Sequence, residues 1–491
     1  MPRRPAPRRR GSGPWPVLLA LAACTPGARL QAPAPAAPPQ YTAAAQPQQT
    51  VAAPGLHGDA QHFDEGAESP PQWWTLFQCP QLDALVARAL QDSPQLAAAA
   101  ARLRQAQADL EAESGGTQWP AVNAQLGASR QKVYPGAFGF STLAQPPPFP
   151  LYNAAVNASY MLDLFGASRG AVERQRATLN YQRYQLQSAR LTLAANVVTA
   201  AIRRAAAAAQ ISALEELLRA QQRQLEIVVA RLAAGGVPPL EVQRQRTAVA
   251  ATRASLAPLR RQLAQLDHQL AIYLGVPPAG APDASVAFDQ LTLPTQVPLA
   301  VPSTLARHRP DVAAAEAQLR QAAAAVHVAT ANLYPQFTVS ASLGAERTRT
   351  GSLGDGPNVW SVGGSLLQPL FRGGALRAQR RSAVAAYEEA AASYQQTVLT
   401  ALQQVADALR ALEQDAEALQ ARQEAAEQAR LGLDIAQRQL QAGGISAFAR
   451  LESQGVLAQA SAQRIAAAAD RLADTAALLQ ALGGRNWGAG P

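Results

Sequence analysis

The sequence predicts an α+β fold in which long helices carry two pairs of short β-strands, and three observations support it. The 491 residues are 48% hydrophobic, with abundant alanine, but only 5% aromatic and 16% charged. Such a composition is typical of helices. Apolar residues recur at the helical period over most of the chain and at period two in four short stretches. The whole pattern then occurs a second time.

The second half of the chain repeats the first. "SPQLAAAAARLRQ" (93–105) matches "RPDVAAAEAQLRQ" (309–321), and residues 231–275 correspond to 439–483 at a constant offset of 208. We therefore predict an internal tandem repeat. The expected boundaries are a first repeat over 73–275, a Pro-rich connector over 276–305, a second repeat over 306–484 and a C-terminal tail over 485–491.

Each repeat is expected to contain a helix, two strands, a long helix and a return helix. In the first repeat the long helix covers about 171–234, or roughly 95 Å at 1.5 Å per residue. The return helix covers about 239–274. Its leucines step alternately by three and four residues, which is the period of a coiled-coil seam. They are Leu256, Leu259, Leu263, Leu266 and Leu270.

The predicted strands each have one apolar and one polar face. In "YNAAVNASYMLDLF" (152–165), Val156 and Tyr160 share a face opposite Asn153 and Asn157. This alternation fits a lipid-facing outside and a wet inside; a soluble antiparallel sheet with one buried face is the alternative. Aromatic residues near the strand ends suit an interfacial belt. They are Trp119, Tyr152, Phe165, Tyr334, Trp360 and Phe371.

Four strands cannot close a transmembrane barrel by themselves. In lipid every backbone polar group must be paired, so an open sheet is excluded there. About eight strands form the smallest barrels observed. The lipid-facing interpretation therefore requires that the chain contribute its strands to a barrel shared with other copies.

The N-terminus is similar to an export signal. Residues 1–23 contain five arginines and no acid, followed by an apolar run that is too short to span a bilayer. "LAAC" (21–24) resembles the bacterial lipoprotein box, which implies removal of 1–23 and a covalent N-terminal lipid on Cys24. An ordinary signal peptide with an incidental cysteine is the alternative. Residues 24–72, rich in Pro, Ala and Gln, are predicted to form a lipidated flexible tether.

Charge and motif content argue against nucleic-acid binding and catalysis. The net charge is +9, and removal of the five N-terminal arginines lowers it to +4. The remaining arginines are interleaved with acids and form no basic stripe with stacking aromatics. The five histidines lack metal-ligand spacing, and no nucleophile or phosphate-binding motif is found. We expect no enzyme activity, no metal and no cofactor besides the lipid.

Two Gly-Gly pairs, 208 residues apart, interrupt the helical pattern. Gly235-Gly236 and Gly443-Gly444 are expected to end helices through a left-handed cap. Apolar residues follow each pair at turns that should be wet, which suggests a contact with another protein. Alternatively, they cap the coiled coil of their own hairpin. These residues are Val237, Leu240, Ile445 and Phe448.

Several motifs in order resemble the outer-membrane factor (TolC-like) family, and most closely its NodT-type efflux lipoproteins. They are "LDLFG" (162–166), "LGVPP" (274–278), "RHRPDVAAAEAQLRQA" (307–322), "YPQFTVSASLG" (334–344), "PLFRGGALRAQ" (369–379) and "ALGGRNW" (481–487). The resemblance implies a homotrimer with a 12-stranded β-barrel in the outer membrane, four strands per chain. It also implies that this barrel is continuous with a long periplasmic α-helical coiled-coil barrel.

The resemblance further implies a function. The trimer would be the exit duct of a tripartite efflux pump, working with a periplasmic adaptor (membrane fusion protein) and an inner-membrane transporter of the RND type. It would passively conduct small toxic compounds or drugs. A type I protein-secretion duct of the same architecture is the alternative. Two other classes are also alternatives. A structural coiled-coil surface lipoprotein would not explain two pairs of alternating strands flanked by aromatics, and a periplasmic adaptor would have one helical hairpin with β-rich, lipoyl-like flanks.

By the same resemblance, the adaptor would dock at the two Gly-Gly turns. Glu452, with Arg450, would lie at a periplasmic entrance or gate, where three copies of the carboxylate would attract cations. Alternatively, Glu452 is a solvated helix residue paired with Arg450. Cys79 stands where relatives commonly carry Asp, and it has no disulfide partner once Cys24 is lipidated.

Overall fold

The computed structural model describes residues 38, 40–43, 47–135, 139, 144–280, 286–302, 305 and 309–483. The predicted signal peptide, Cys24 and the tail over 485–491 lie outside the described residues. The chain divides into two compact units. Described parts of unit 1 fall within Arg104–Tyr181 and Glu316–Ser393, and those of unit 2 within Ala34–Leu103, Gln182–Ala315 and Tyr394–Pro491.

In both halves the described helices and strands follow the same order of helix, two strands, long helix and return helix, which begins at Pro94 in the first half and at Pro310 in the second. The helices are α1 Pro80–Asp92, α2 Pro94–Gln118, α3 Ala167–Ala233, α4 Pro239–Tyr273, α5 Pro310–Ala331, α6 Ala375–Gln441 and α7 Ala447–Leu482. The strands are β1 His62–Glu65, β2 Ala121–Gln131, β3 Phe149–Leu162, β4 Gln296–Leu299, β5 Gln336–Arg347 and β6 Val359–Leu367. Short 3-10 helices cover Trp73–Phe77, Pro278–Gly280, Phe288–Gln290 and Thr350–Ser352.

The long helices match the predicted offset. Helices α3 and α6 each have 67 residues, and their first and last residues are both 208 positions apart. Helix α3 begins four residues earlier than expected and strand β3 ends at Leu162 rather than near 165. Asp163 explains both differences, because its carboxylate accepts hydrogen bonds from the backbone N–H groups of Ser168 (3.3 Å) and Arg169 (2.8 Å) and caps the helix start.

Unit 1 contains a four-stranded antiparallel sheet in the order β2-β3-β5-β6. The register places Val156 opposite both Ala124 and Leu343, and Ala341 opposite Val362. Residues directly opposite each other share a face, so the apolar positions of all four strands lie together. Strands β2 and β6 form the two edges, and each pairs with only one neighbour in the described chain.

Unit 2 contains the helical core and the coiled-coil seam. In α4 the buried residues Val242, Gln245, Val249, Thr252 and Leu256 extend the predicted leucine series in the same three-four rhythm. In α3 the same three-four rhythm appears in the buried residues Leu214, Leu217, Gln221, Gln224 and Val228. The neighbouring Leu218 and Leu225 are half-buried. Helix α3 also has an 18-residue stretch long and apolar enough to cross a membrane, but half of it is buried.

The described part of the predicted tether is not flexible, and that prediction is wrong for residues 47–72. Strand β1 pairs in parallel with β4, so His62 lies opposite Gln296 and Glu65 opposite Leu299. Thr50, His57 and Gln61 are buried. Backbone pairing and burial fix this segment against unit 2 despite a composition that favours disorder.

Candidate functional sites

Both Gly-Gly pairs end a long helix as predicted. Gly235 has φ 73° and Gly443 has φ 74°, which are left-handed conformations that favour glycine. The N–H of Gly236 donates to the carbonyl of Arg231 (2.8 Å), and that of Gly444 to the carbonyl of Gln439 (2.8 Å). These bonds span five residues and define a Schellman motif, which satisfies carbonyls at the helix end.

The return helices begin differently in the two turns. The Ser446 hydroxyl accepts a hydrogen bond from the backbone N–H of Ala449 (3.2 Å) and caps α7. Pro238 precedes α4 and provides no side-chain cap, while Pro239 takes the first helical position, where a missing N–H costs nothing. The first turn is therefore fixed by proline stiffness and the second by a hydrogen bond.

A groove of about 1050 Å³ lies beside the turns in unit 2, with walls from α3, α4 and α7. The guanidinium carbon of Arg244 lies 5.7 Å from the centroid of the Phe448 ring, within cation–π range. Leu240 is 60% exposed, and the groove also includes Leu451 and Glu452. Leu240 and Phe448 therefore come together with Arg244, whereas the sequence indicated only two separate turns.

Val237 and Ile445 lie in the turns and are half-buried. Arg450 is also half-buried, and Glu452 is exposed on the groove wall. Residues two apart on a helix do not face each other, and no ion pair between Arg450 and Glu452 is found in the described chain. The alternative in which this carboxylate is neutralised by Arg450 thus has no support in the geometry.

The apolar face of the sheet is exposed. Leu126 is 82% exposed, and Val122, Val362 and Leu366 are also exposed. A soluble sheet would bury this face against the chain's own core, which it does not do here. On the opposite, polar face the Ser342 and Ser361 hydroxyls lie 2.9 Å apart and form a hydrogen bond between β5 and β6.

The predicted interface aromatics fall into a group that packs within the chain and a group that is exposed. Phe165 stacks on Tyr334 with ring centroids 4.9 Å apart and an angle of 16° between the rings. Tyr152 is half-buried in β3. Trp119, Trp360 and Phe371 are exposed.

Sequence reasoning missed the arginine that binds the N-terminal segment. Arg471 of α7 is fully buried and donates hydrogen bonds to four oxygen atoms. These are the carbonyls of His57 (3.0 Å) and Asp59 (2.8 Å), the Thr50 hydroxyl (2.8 Å) and Gln61 Oε1 (3.2 Å). Arg471 lies in the apolar stripe of α7 with Leu472 and Leu479. This position could have indicated an arginine with buried hydrogen-bond partners, because arginine is almost never fully buried unless paired.

Titratable groups near Arg471 are perturbed by burial. Burial, then the nearby Asp474, raises the pKa of Asp415 from 3.8 to about 7. Burial also lowers the pKa of His57, although its bond to the Phe288 carbonyl acts in the opposite direction. Among the described residues, no group of three or more His, Cys, Asp or Glu side chains could hold a metal. Cys79 is buried and free.

The paired apolar strands and the helical hairpins define the class of an α+β, mostly helical outer-membrane channel, and solved structures have this fold. The outer-membrane channel OprN superposes with a TM-score of 0.80 at 27% identity, covering 94% of this chain and 99% of OprN. VceC of Vibrio cholerae gives 0.76 at 27% identity, over 85% of this chain and 99% of VceC.

The chain belongs to the outer membrane efflux protein family, whose sequence profile matches residues 85–276 and 301–484. The pyoverdine export outer membrane protein OpmQ of Pseudomonas aeruginosa is 34% identical over 84% of this chain and 87% of OpmQ. The antibiotic efflux pump outer membrane protein ArpC of Pseudomonas putida is 28% identical over 91% of each. The family consists of outer-membrane channel proteins, not enzymes, and the efflux function expected from the sequence is confirmed.

Proposed function

We propose that three copies of this chain form the exit duct of a tripartite efflux pump. Each copy would contribute four strands to a 12-stranded barrel in the outer membrane. The two similar halves of the chain would come from a tandem duplication. The helices would extend into the periplasm as an α-helical barrel continuous with the sheet, and conduction through the duct would be passive.

The observation that supports this proposal best is the combination of an exposed apolar face with two sheet edges that have no partner strand among the described residues. Lipid accepts the apolar face, but it leaves no partner for the backbone N–H and C=O groups of β2 and β6. Closure with other copies satisfies those groups. Trp119, Trp360 and Phe371 would then contact the membrane interface.

The partners would be a periplasmic adaptor and an inner-membrane RND transporter. The two Gly-Gly turns and the groove containing Arg244 and Phe448 present apolar side chains beside a cation. This chemistry suits the docking of helical hairpin tips with apolar and acidic residues. A lipid on Cys24 would add a second attachment to the outer membrane.

Small toxic compounds or drugs are the proposed cargo. Similar proteins are named for the export of pyoverdine, antibiotics and toluene, which share small size and little other chemistry. A passive duct needs no dedicated binding site for each compound. Selection would therefore rest with the transporter.

A docking variant tests the proposal. Phe448→Asp places a carboxylate beside Arg244 and removes the ring from the groove, so we expect normal oligomers in the outer membrane but loss of drug resistance. Heat-sensitive migration on gels measures the oligomer, and growth on a drug measures efflux. Leu56→Asp, at an exposed apolar residue outside the groove, is the control. Unchanged resistance with Phe448→Asp would argue against docking there.

A further inference from the structure

In the described part of unit 1, a complete strand-to-strand junction lies where β3 ends and β5 begins. Phe165 follows β3 and stacks on Tyr334, which precedes β5. Gly166, with φ 84°, immediately precedes α3, and a Cβ there would lie 2.5 Å from Nε2 of His327 on α5. An aromatic stack and a close glycine–helix approach thus join the two halves of the sheet.

Each edge of the sheet has one of the two aromatic rings of such a junction. The ring that would stack on it is not beside it in the described chain. "WP" (119–120) before β2 corresponds to "YP" (334–335), and "LF" (370–371) after β6 corresponds to "LF" (164–165). Trp119 is 71% exposed and Phe371 is 89% exposed. Both rings therefore lack the burial that their counterparts obtain by stacking.

The glycine contact is also incomplete at the β6 edge. Gly374 has φ 81° and immediately precedes α6, as Gly166 precedes α3. A Cβ on Gly374 would have nothing within 4 Å. The counterpart of His327 on α2 is Glu111 at the offset of 216 that relates 93–105 to 309–321, and the adjacent Ala112 at the offset of 215 that relates 119–120 to 334–335. Helix α2 leads directly into β2, which is the opposite edge strand of the sheet. The helix that corresponds to α5, the neighbour of Gly166, therefore lies at the edge opposite Gly374.

Charges at the two edges are opposite in sign. Helix α2 carries Asp109, Glu111 and Glu113 shortly before β2, and α6 carries Arg377, Arg380 and Arg381 shortly after β6. Arg380 already donates a hydrogen bond to the Thr330 hydroxyl (3.3 Å). Arg377 and Arg381 are exposed and four residues apart on one face of the helix. The acidic residues of α2 are thus opposite in charge to these arginines.

We infer that a second copy docks at these edges by rebuilding the Phe165–Tyr334 junction between chains. Phe371 of one copy stacks on Trp119 of the partner subunit, Gly374 lies against the partner's α2, and Arg377 and Arg381 face its acidic residues. This inference rests on the proposed function for the shared barrel. It adds which residues select the neighbouring copy.

Pairwise cross-linking tests the aromatic contact. In a Cys79→Ser background, Trp119→Cys and Phe371→Cys are combined in the full chain and treated with a short thiol-reactive cross-linker. We expect dimers and trimers on denaturing gels, and none from either single variant. Phe165→Cys with Tyr334→Cys is the matched control, which should give an internal cross-link without oligomers. Heat-sensitive oligomers that yield no cross-link would overturn the junction but not the duct, whereas absence of oligomers in the background chain itself would overturn both.

A charge exchange gives a second measurement that does not depend on the aromatic variants. Glu111→Arg, or Arg377→Glu with Arg381→Glu, should lower the temperature at which the oligomer dissociates. The combined triple variant should recover most of that loss, because opposite charges then face each other again. A triple variant less stable than either parent would overturn the proposed pairing of α6 with the partner's α2.

Discussion

Arg471 binds four oxygen atoms of the N-terminal segment and is fully buried. Replacing it with Met keeps the stem volume but removes all four hydrogen bonds, and in the described chain only the Thr50 hydroxyl keeps another donor, the backbone N–H of Gln61 (3.0 Å). A buried polar group that loses its partner costs about 1 to 3 kcal/mol, so we expect Arg471→Met to destabilise the protein by about 3 kcal/mol. Residues 47–66 should become sensitive to proteinase K, which mass spectrometry of the fragments measures.

Arg430 provides the matched control for Arg471. Its ion pairs with Glu427 (2.8 Å) and Asp434 (3.9 Å) lie on an exposed helix face. Exposed pairs contribute little, so Arg430→Met should change stability by less than about 0.5 kcal/mol. Equal sensitivity of both variants to the protease would mean that the segment is not held by Arg471.

Asp415 makes the stability of the chain depend on pH. Because its pKa is raised from 3.8 to about 7, the folded chain holds a proton that the unfolded chain releases between these values. The stability contributed by this proton is present at low pH and is lost as the pH rises through about 7. We expect Asp415→Asn to raise the midpoint of thermal unfolding at pH 8 more than at pH 4.

Other charged and titratable groups near Asp415 affect how stability changes with pH. Asp474 and Asp470 raise its pKa, and Arg471 lowers it. The lowered pKa of His57 has the opposite effect on stability. The unfolded chain binds this proton more readily than the folded chain, so acidification lowers the free energy of unfolding. The difference between Asp415→Asn and the parent at each pH isolates Asp415, since His57 is common to both. A difference that does not change with pH would contradict the shift.

At the scale of elements, the turns after α3 and α6 depend on one glycine in each pair. Gly443 has φ 74°, and a left-handed conformation costs a residue with Cβ about 1 to 2 kcal/mol. Gly443→Ala should therefore loosen the turn by about this amount. Amide hydrogen exchange over residues 438–446 measures the effect.

Gly444→Ala is the control for Gly443→Ala. A Cβ on Gly444 would lie 3.5 Å from the Gln439 carbonyl oxygen, an ordinary contact, and its φ is not positive. Gly444→Ala should leave exchange nearly unchanged. Similar exchange in the two alanine variants would show that the left-handed conformation does not control the turn.

Helices, strands and the 208-residue offset could be predicted because each leaves a local pattern. Periodicity placed α3 and α4 to within a few residues, the offset of 208 extended them to α6 and α7, and alternation placed the sheet strands. The two Gly-Gly turns were predictable because only glycine adopts their conformation at low cost. Long, regular elements carry enough residues for the period to be unambiguous.

Features that depend on distant pairing could not be predicted in this way. Strands β1 and β4 have four residues each and are more than 230 positions apart. Runs that short carry no usable alternation, and their composition resembles that of a linker. The Arg244–Phe448 contact likewise joins two hairpins whose relation no local pattern encodes. Tertiary packing determines these contacts.

For the whole molecule, the sheet and the groove require different neighbours. An apolar sheet face is stable against lipid, and its unpaired edges are stable only against further strands. The groove in unit 2 combines apolar residues with Arg244 and Glu452, which suits water and a protein partner. In the proposed duct, one chain would thus carry surfaces for a bilayer, for its own copies and for a periplasmic partner.

Substitution of Glu452 tests whether the assembled duct has an acidic entrance. Three exposed carboxylates around one axis would raise the local concentration of cations, by about tenfold or more where walls of low dielectric focus the field. We expect Glu452→Gln to lower the ratio of cation to anion permeability several-fold in single-channel recordings at low salt. High salt should shrink the difference, since it screens the field. Glu424→Gln, at an exposed carboxylate of α6 outside the groove, should have a smaller effect. Identical permeability ratios for the parent and Glu452→Gln would remove Glu452 from the entrance and leave it as a solvated residue of the groove wall.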